Sequence, residues 1–169
     1  KVGKYILAEI AAPEKYATAE SIEFEVKADL SVQTVEMKDA PIQVEISKKD
    51  ITNGEELPGA HLQIMDVDGQ VVEEWDSTSQ PHMINLAVGT YTLVETIAPD
   101  GYATASAITF EVKDTAEIQK VEMFDDITKL QISKTDITTE KELPGARLSV
   151  KDMEGKVIEE WVSTEEPHY

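Results

Sequence analysis

The chain repeats itself at a fixed offset of 86 residues. Ile46-Ser47-Lys48 returns as Ile132-Ser133-Lys134, Leu57-Pro58-Gly59-Ala60 as Leu143-Pro144-Gly145-Ala146, and Glu73-Glu74-Trp75 as Glu159-Glu160-Trp161. A second set pairs Val2-Gly3 with Val88-Gly89, Ala12-Pro13 with Ala98-Pro99, and Val35-Glu36-Met37 with Val121-Glu122-Met123. Without a gap, 41–83 and 127–169 agree at 22 of 43 positions, and 1–40 and 87–126 at 21 of 40, far beyond chance. Self-similarity at one period is the signature of a repeat architecture. The sequence therefore reads as one complete repeat, 41–126, preceded by the back half of a repeat, 1–40, and followed by the front half of another, 127–169. The boundaries fall at Asp39-Ala40-Pro41 and Asp125-Asp126-Ile127, and neither is a long flexible linker. Residues 1–169 contain no signal peptide and Lys1 is not an initiator Met, so the chain is expected to be a processed or excised piece.

Within the complete repeat the elements are short. Apolar and polar residues alternate over 42–48, 60–66, 90–96, 107–113 and 118–124, and further strands are expected near 70–75 and 82–87. Asn53-Gly54, Asp68-Gly69 and Pro99-Asp100-Gly101 supply turns between them. No segment carries a 3.6-residue apolar period. About seven strands with turns at this spacing predict an all-β fold, an antiparallel Ig-like sandwich in tandem repeats. Trp75 and Phe110 are its expected large core residues.

Composition narrows the function. Thirty-four acidic residues stand against 15 basic ones, a formal charge of −19. Nucleic acids and anionic membrane surfaces both demand basic groups, so neither is an expected partner. No apolar run approaches the roughly 20 residues of a membrane-spanning helix. Cysteine is absent, which removes disulfides and thiolate metal sites. The acidic excess reads as a solvated surface that keeps long arrays soluble.

Residues two apart on a strand share a face. Val44, Ile46 and Lys48 form one such stripe, Tyr91, Leu93 and Glu95 a second, and Val121, Met123 and Asp125 a third. Each apolar stripe ends in one ionisable group. The half-repeats show the same pattern in Leu130, Ile132, Lys134; Tyr5, Leu7, Glu9; and Val35, Met37, Asp39. A single inward Lys at a strand end ordinarily snorkels its ammonium to water. Three complementary groups on three strands, in every copy, point instead to a buried cluster. Separate buried charges are costly. Either the three form a hydrogen-bonded ionic cluster, or chemistry removes the charges.

Ile46-Ser47-Lys48-Lys49-Asp50, Glu56-Leu57-Pro58-Gly59-Ala60, Tyr91-Thr92-Leu93-Val94-Glu95, Ala98-Pro99-Asp100-Gly101-Tyr102 and Val121-Glu122-Met123-Phe124-Asp125 follow in order. This set resembles a CnaB-type domain, the SpaA-like, prealbumin-like module of Gram-positive surface adhesins and pilins. The resemblance covers the whole chain as one full and two partial copies. It implies a spontaneous isopeptide bond, with Lys48 as nucleophile, Asp125 as electrophile and Glu95 as proton shuttle. The period selects Asp125 over Asp126, since Asp39 is its counterpart. If the half-repeats complement one another, Lys134, Glu9 and Asp39 form a second, composite site. One departure, Pro13-Glu14-Lys15 in place of Pro99-Asp100-Gly101, changes a turn and leaves the three groups intact.

The implied chemistry is physically reasonable. Apolar surroundings favour the neutral amine and the neutral carboxylic acid. The amine can then attack the Asp carbonyl carbon while a protonated Glu relays protons to the departing water. Fixed geometry supplies a high effective molarity. Each chain reacts once, which makes this self-modification and not enzymatic turnover. By analogy with disulfides, closing a loop of 77 residues stabilises by about 4–5 kcal/mol through the unfolded state. Tension along the chain would cross the link and bypass that stretch. Asp125 and Lys134 are at most roughly 30 Å apart along the chain, so successive repeats should form a rod.

Other candidates are weaker. Asp66-Val67-Asp68-Gly69 lacks the ligand pattern of a calcium loop and reads as a hairpin turn. His61, His82 and His168 show no metal-ligand spacing, and no metal or cofactor is expected. Leu-Pro-Gly-Ala is not a wall-sorting signal, because the Thr-Gly ending is missing. Two functional classes stay open. One is a covalently locked spacer in a fibre on the outer surface of a Gram-positive bacterium, partnered by neighbouring repeats. The other is an adhesive module whose partner is a host extracellular ligand. A third expectation concerns assembly, with copies joined head-to-tail through their half-repeats.

Overall fold

Alternating segments become strands where a neighbouring strand can satisfy their backbone groups. A computed structural model describes Lys1–Tyr169, in two compact units, Lys1–Ile127 and Thr128–Tyr169. The fold is all-β. The first unit contains β1 (Gly3–Leu7), β2 (Tyr16–Ala17), β3 (Ile22–Val26), β4 (Ala40–Pro41), β5 (Gln43–Asp50), β6 (His61–Met65), β7 (Val71–Asp76), β8 (His82–Asn85), β9 (Gly89–Ile97), β10 (Ile108–Val112) and β11 (Gln119–Asp125). The second contains β12 (Arg147–Lys151) and β13 (Val157–Val162).

The seven expected strands are β5 to β11. They build two sheets, ordered β10-β9-β6-β7 and β11-β5-β8. Their inner faces share one aliphatic core that includes Ile42, Val44, Ile46, Leu62, Ile64, Leu93 and Met123. Two expectations need amendment. The pairing is antiparallel throughout except between β11 and β5, which run parallel. These strands open and close the sandwich, and the chain between them passes through the other sheet, so no hairpin fixes their sense. Trp75 and Phe110 are only partly buried against the core. They lie on β7 and β10, the two edge strands of the four-stranded sheet. Trp75 stacks on His82 with ring centroids 4.3 Å apart, and Phe110 on Tyr91 at 5.9 Å.

A buried serine ties the front of the sandwich together. Gly59 adopts φ +95°, which a side chain would strain. The turn places the Ala60 N–H 2.9 Å from Ser77 Oγ, which in turn donates to the Leu57 carbonyl at 2.7 Å. Ahead of the sandwich, β1 and β3 form a hairpin, and β2 pairs with β4. Lys15, with φ +67°, keeps the left-handed conformation that Gly101 adopts at φ +86°. The altered turn therefore has the same backbone. In the second unit β12 and β13 form a hairpin, and Trp161 stacks on His168 at 4.3 Å.

Candidate functional site

Three strands deliver the three ionisable groups to one point in the core. The period-2 pleat turns Val44, Ile46 and Lys48 of β5 inward, and all three are buried. The parallel register sets Met123 against Lys48 and Asp125 against Asp50. Asp125 therefore shares a face with Lys48, one step along. Glu95 arrives from the facing sheet, where it pairs with Leu62. The side chains of Lys48, Glu95 and Asp125 are 1%, 0% and 0% exposed. Ile46, Leu93 and Met123, two residues before each of them, are fully buried.

Lys48 Nζ donates a short hydrogen bond to Asp125 Oδ1 and lies 3.0 Å from Glu95 Oε1. Glu95 Oε2 accepts the Ala105 N–H at 2.6 Å, which fixes the carboxyl plane and aims Oε1 at the ammonium. Burial pushes the Glu95 carboxyl above its ordinary value of 4.5; the Ala105 N–H and the Lys48 ammonium oppose this, and the Asp125 carboxyl adds to it. The protonated form of Glu95 is therefore favoured relative to an exposed glutamate. Asp125 Oδ2 is buried with no hydrogen-bond partner, and Glu95 Oε1 lies outside hydrogen-bonding geometry. An oxygen so placed can leave without breaking a hydrogen bond, whereas keeping it carries a desolvation cost.

A second layer closes the strand ends. Ile51 N–H donates to the Asp125 carbonyl at 3.0 Å. Tyr102 Oη donates to Asp50 Oδ2 at 2.8 Å, and the Thr52 N–H to Asp50 Oδ1 at 2.7 Å. The Thr52 hydroxyl, then its N–H, then Tyr102 hold the Asp50 carboxyl below its ordinary value. Hydrogen bonding to Asp50 raises the Tyr102 phenol in turn. The alternation singled out Lys48, Glu95 and Asp125 but gave no hint of Ala105, Ser77, Asp50 or Tyr102. Identity across the 86-residue offset marks all four, as Ala19, Ser163, Asp136 and Tyr16.

The other singled-out residues lie elsewhere. Glu9 and Asp39 belong to the first unit and are half-buried. Glu9 Oε2 accepts the Ala19 N–H at 2.7 Å. Lys134 belongs to the second unit, where it is exposed and its N–H donates to Glu142 Oε2 at 3.2 Å. His61 pairs with Asp76, His82 with Glu73 and His168 with Glu159. Asp66 Oδ1 accepts the N–H groups of Asp68 and Gln70, a turn that engages the carboxylate with its own backbone. No cluster of three or more His, Cys, Asp or Glu could hold a metal ion.

Comparison with known proteins adds an independent line. Residues 42–127 match the SpaA family, described as a prealbumin-like fold domain. Among solved structures, the Bacillus anthracis TIE protein superimposes with a TM-score of 0.57 at 29% identity, over 97% of this chain and 33% of that one. The chain thus spans about a third of that relative. The pilus-presented adhesin Spy0125 (Cpa) is 39% identical over 42% of this chain and 17% of its own, with a TM-score of 0.39. The shaft pilin SpaA of Lactobacillus rhamnosus GG is 18% identical over 75% and 65%, at 0.45. No curated protein matches the sequence.

Proposed function

Since the chain belongs to the SpaA family of prealbumin-like fold domains, as the match over 42–127 shows, we propose that it is a load-bearing spacer of a bacterial surface pilus or adhesin. In this reading 41–126 is one complete repeat, locked by an amide between Lys48 and Asp125 that Glu95 helps to form. The observation that carries it is the buried contact of Lys48 with both carboxyls. The neutral Nζ attacks Asp125 Cγ, a C–N bond forms, a C–O bond breaks, and one water leaves. Glu95, whose protonated form burial favours, hydrogen-bonds the carbonyl oxygen and passes protons to the departing oxygen. The groups are consumed in the step, so no external substrate is turned over.

The topology gives the bond a mechanical purpose. The strands β5 and β11 are parallel neighbours, so the chain enters at one end of the pair and leaves at the other. Load entering through Gln43 passes along β5 to Lys48, crosses to Asp125 and exits. The 76 residues between them, 49–124, are bypassed. The Tyr16–Pro41 pairing recurs as the Tyr102–Ile127 bridge, one period on. This supports a regular junction between successive repeats. Single-molecule pulling from both termini tests the reading. The wild-type chain should never release the 48–125 segment, while Asp125→Ala should release it, adding roughly 260 Å of extension. Equal release in both would overturn it.

A further inference from the structure

Resting on the reading proposed above, we infer that Tyr102 is a positioning residue for amide formation, a clasp across the ends of β5 and β11 that sets how Lys48 meets Asp125. The three reacting side chains hang from separate strands. Lys48 lies two residues before the end of β5, and Asp125 is the last residue of β11. Strand ends fray where few contacts hold them. A misplacement of about 1 Å at a reacting centre can cost on the order of a hundredfold in rate. A reaction between two strand ends therefore needs those ends held by groups outside the reaction.

Residues 102–105 supply that hold. They lie in the irregular stretch between β9 and β10. Tyr102 Oη donates to Asp50 Oδ2, on the last residue of β5, at 2.8 Å. The Tyr102 backbone bridges Ile127, and the Ala103 N–H donates to the Asp126 carbonyl at 3.0 Å, directly past β11. The Ala105 N–H holds Glu95 of β9 at 2.6 Å. One residue thus spans the two strands that the amide would join, with its ring end on β5 and its backbone at the exit of β11. Asp50 and Asp125 are partners in the parallel register, so the clasp closes at the level of the reacting carboxyl. The Ile51 N–H reinforces it by donating to the Asp125 carbonyl at 3.0 Å. The Lys48 backbone is held separately, its carbonyl accepting the Leu57 N–H at 2.7 Å.

Asp50 is suited to receive the clasp. It is buried, and the Thr52 N–H and hydroxyl already fix its Oδ1. Its Oδ2 is therefore a rigid anchor, and a hydroxyl donating to a carboxylate makes a charge-assisted bond. The Tyr102 hydroxyl is spent on Asp50 and not on Lys48, Glu95 or Asp125, so it acts through the strand and not on the reacting atoms. The same four residues, Tyr-Ala-Thr-Ala, stand at 16–19. There Tyr16 and Ala17 pair with Pro41 and Ala40, and the Ala19 N–H holds Glu9 at 2.7 Å. The backbone half of the clasp is thus built twice.

Tyr102→Phe tests the clasp, because it removes the hydroxyl and keeps the ring and the backbone contacts. Bond formation is timed as the loss of one water, by acid-quenched mass spectrometry on freshly synthesised 169-residue chain. Val112→Ala is the comparison. Val112 is a fully buried core residue paired with Gly89, six residues along β9 from Glu95 and so about 20 Å away. Truncating it loosens the core without touching the clasp. Urea denaturation of each substitution in a Glu95→Gln background, where no bond should form, shows that both are folded and how far each is destabilised. Tyr102→Phe should form the bond roughly tenfold more slowly than the wild type, and Val112→Ala should form it at the wild-type rate despite a lower urea midpoint. Rates that simply follow the two midpoints, or a Tyr102→Phe rate equal to the wild type's, would overturn the clasp alone. A wild-type chain that never loses a water would instead overturn the amide, and the clasp with it.

Discussion

Replacing Glu95 separates the chemistry from the fold. In Glu95→Gln the side-chain amide oxygen can still accept the Ala105 N–H that Glu95 Oε2 accepts at 2.6 Å, but the proton relay is gone. The Lys48–Asp125 contact remains as an ion pair. The variant should fold and keep the mass of one water that the proposed link would remove from the wild type. Without the link, the constraint on a 77-residue loop disappears, worth about 4–5 kcal/mol. For a sandwich of this size that is a fall in melting temperature of roughly 20–35 °C. Glu95→Ala should cost a further 1–3 kcal/mol, because it also strips the Ala105 N–H of its acceptor. Intact mass and urea denaturation of both variants give the two quantities. A Gln variant that loses the water refutes the role of Glu95. One that keeps the water yet melts with the wild type refutes the energetic account of the link.

Three further outcomes follow from the geometry. Burial holds the Glu95 carboxyl above its ordinary 4.5, so the proton it supplies to amide formation should be lost, and the rate should fall, as pH rises through that raised value. Acid-quenched mass spectrometry on freshly synthesised, unlinked chain measures this, and a rate that climbs with pH contradicts it. Ser77→Ala removes the partner of the Ala60 N–H and the Leu57 carbonyl, both buried. It should lower stability by about 2–4 kcal/mol without preventing the bond, read by urea midpoint and intact mass. Asp50 is held below its ordinary 3.8 chiefly by the Thr52 hydroxyl, so its stabilisation is complete above that value and lost as pH falls through the folded value. Asp50→Asn should flatten the acid limb of the stability profile, measured by thermal melts between pH 2 and 5.

Much of the fold was legible because strands have period 2, and alternation assigns each side chain to a face. That is why Lys48, Glu95 and Asp125 could be placed at the ends of three inward stripes, and why the seven strands fall near their expected positions. Partner choice is not written in alternation. The parallel β5–β11 pair joins strands more than 70 residues apart, and nothing local to either specifies its sense. Trp75 and Phe110 have core-like composition, yet their strands took sheet edges, where one flank faces water. Ala105 positions Glu95 through a backbone N–H, which no side-chain pattern reveals. The half-repeats show the converse: residues 33–39 keep the alternation of β11 but form no strand.

The central claim is a covalent bond between Lys48 and Asp125, and the mass of the denatured chain tests it directly. In a Lys134→Arg background, which leaves one reactive site, the protein should weigh one water less than its sequence. Tandem fragmentation should then find residues around 48 and 125 joined in one branched peptide. A mass equal to that of the sequence, in protein shown to be folded, would contradict the account.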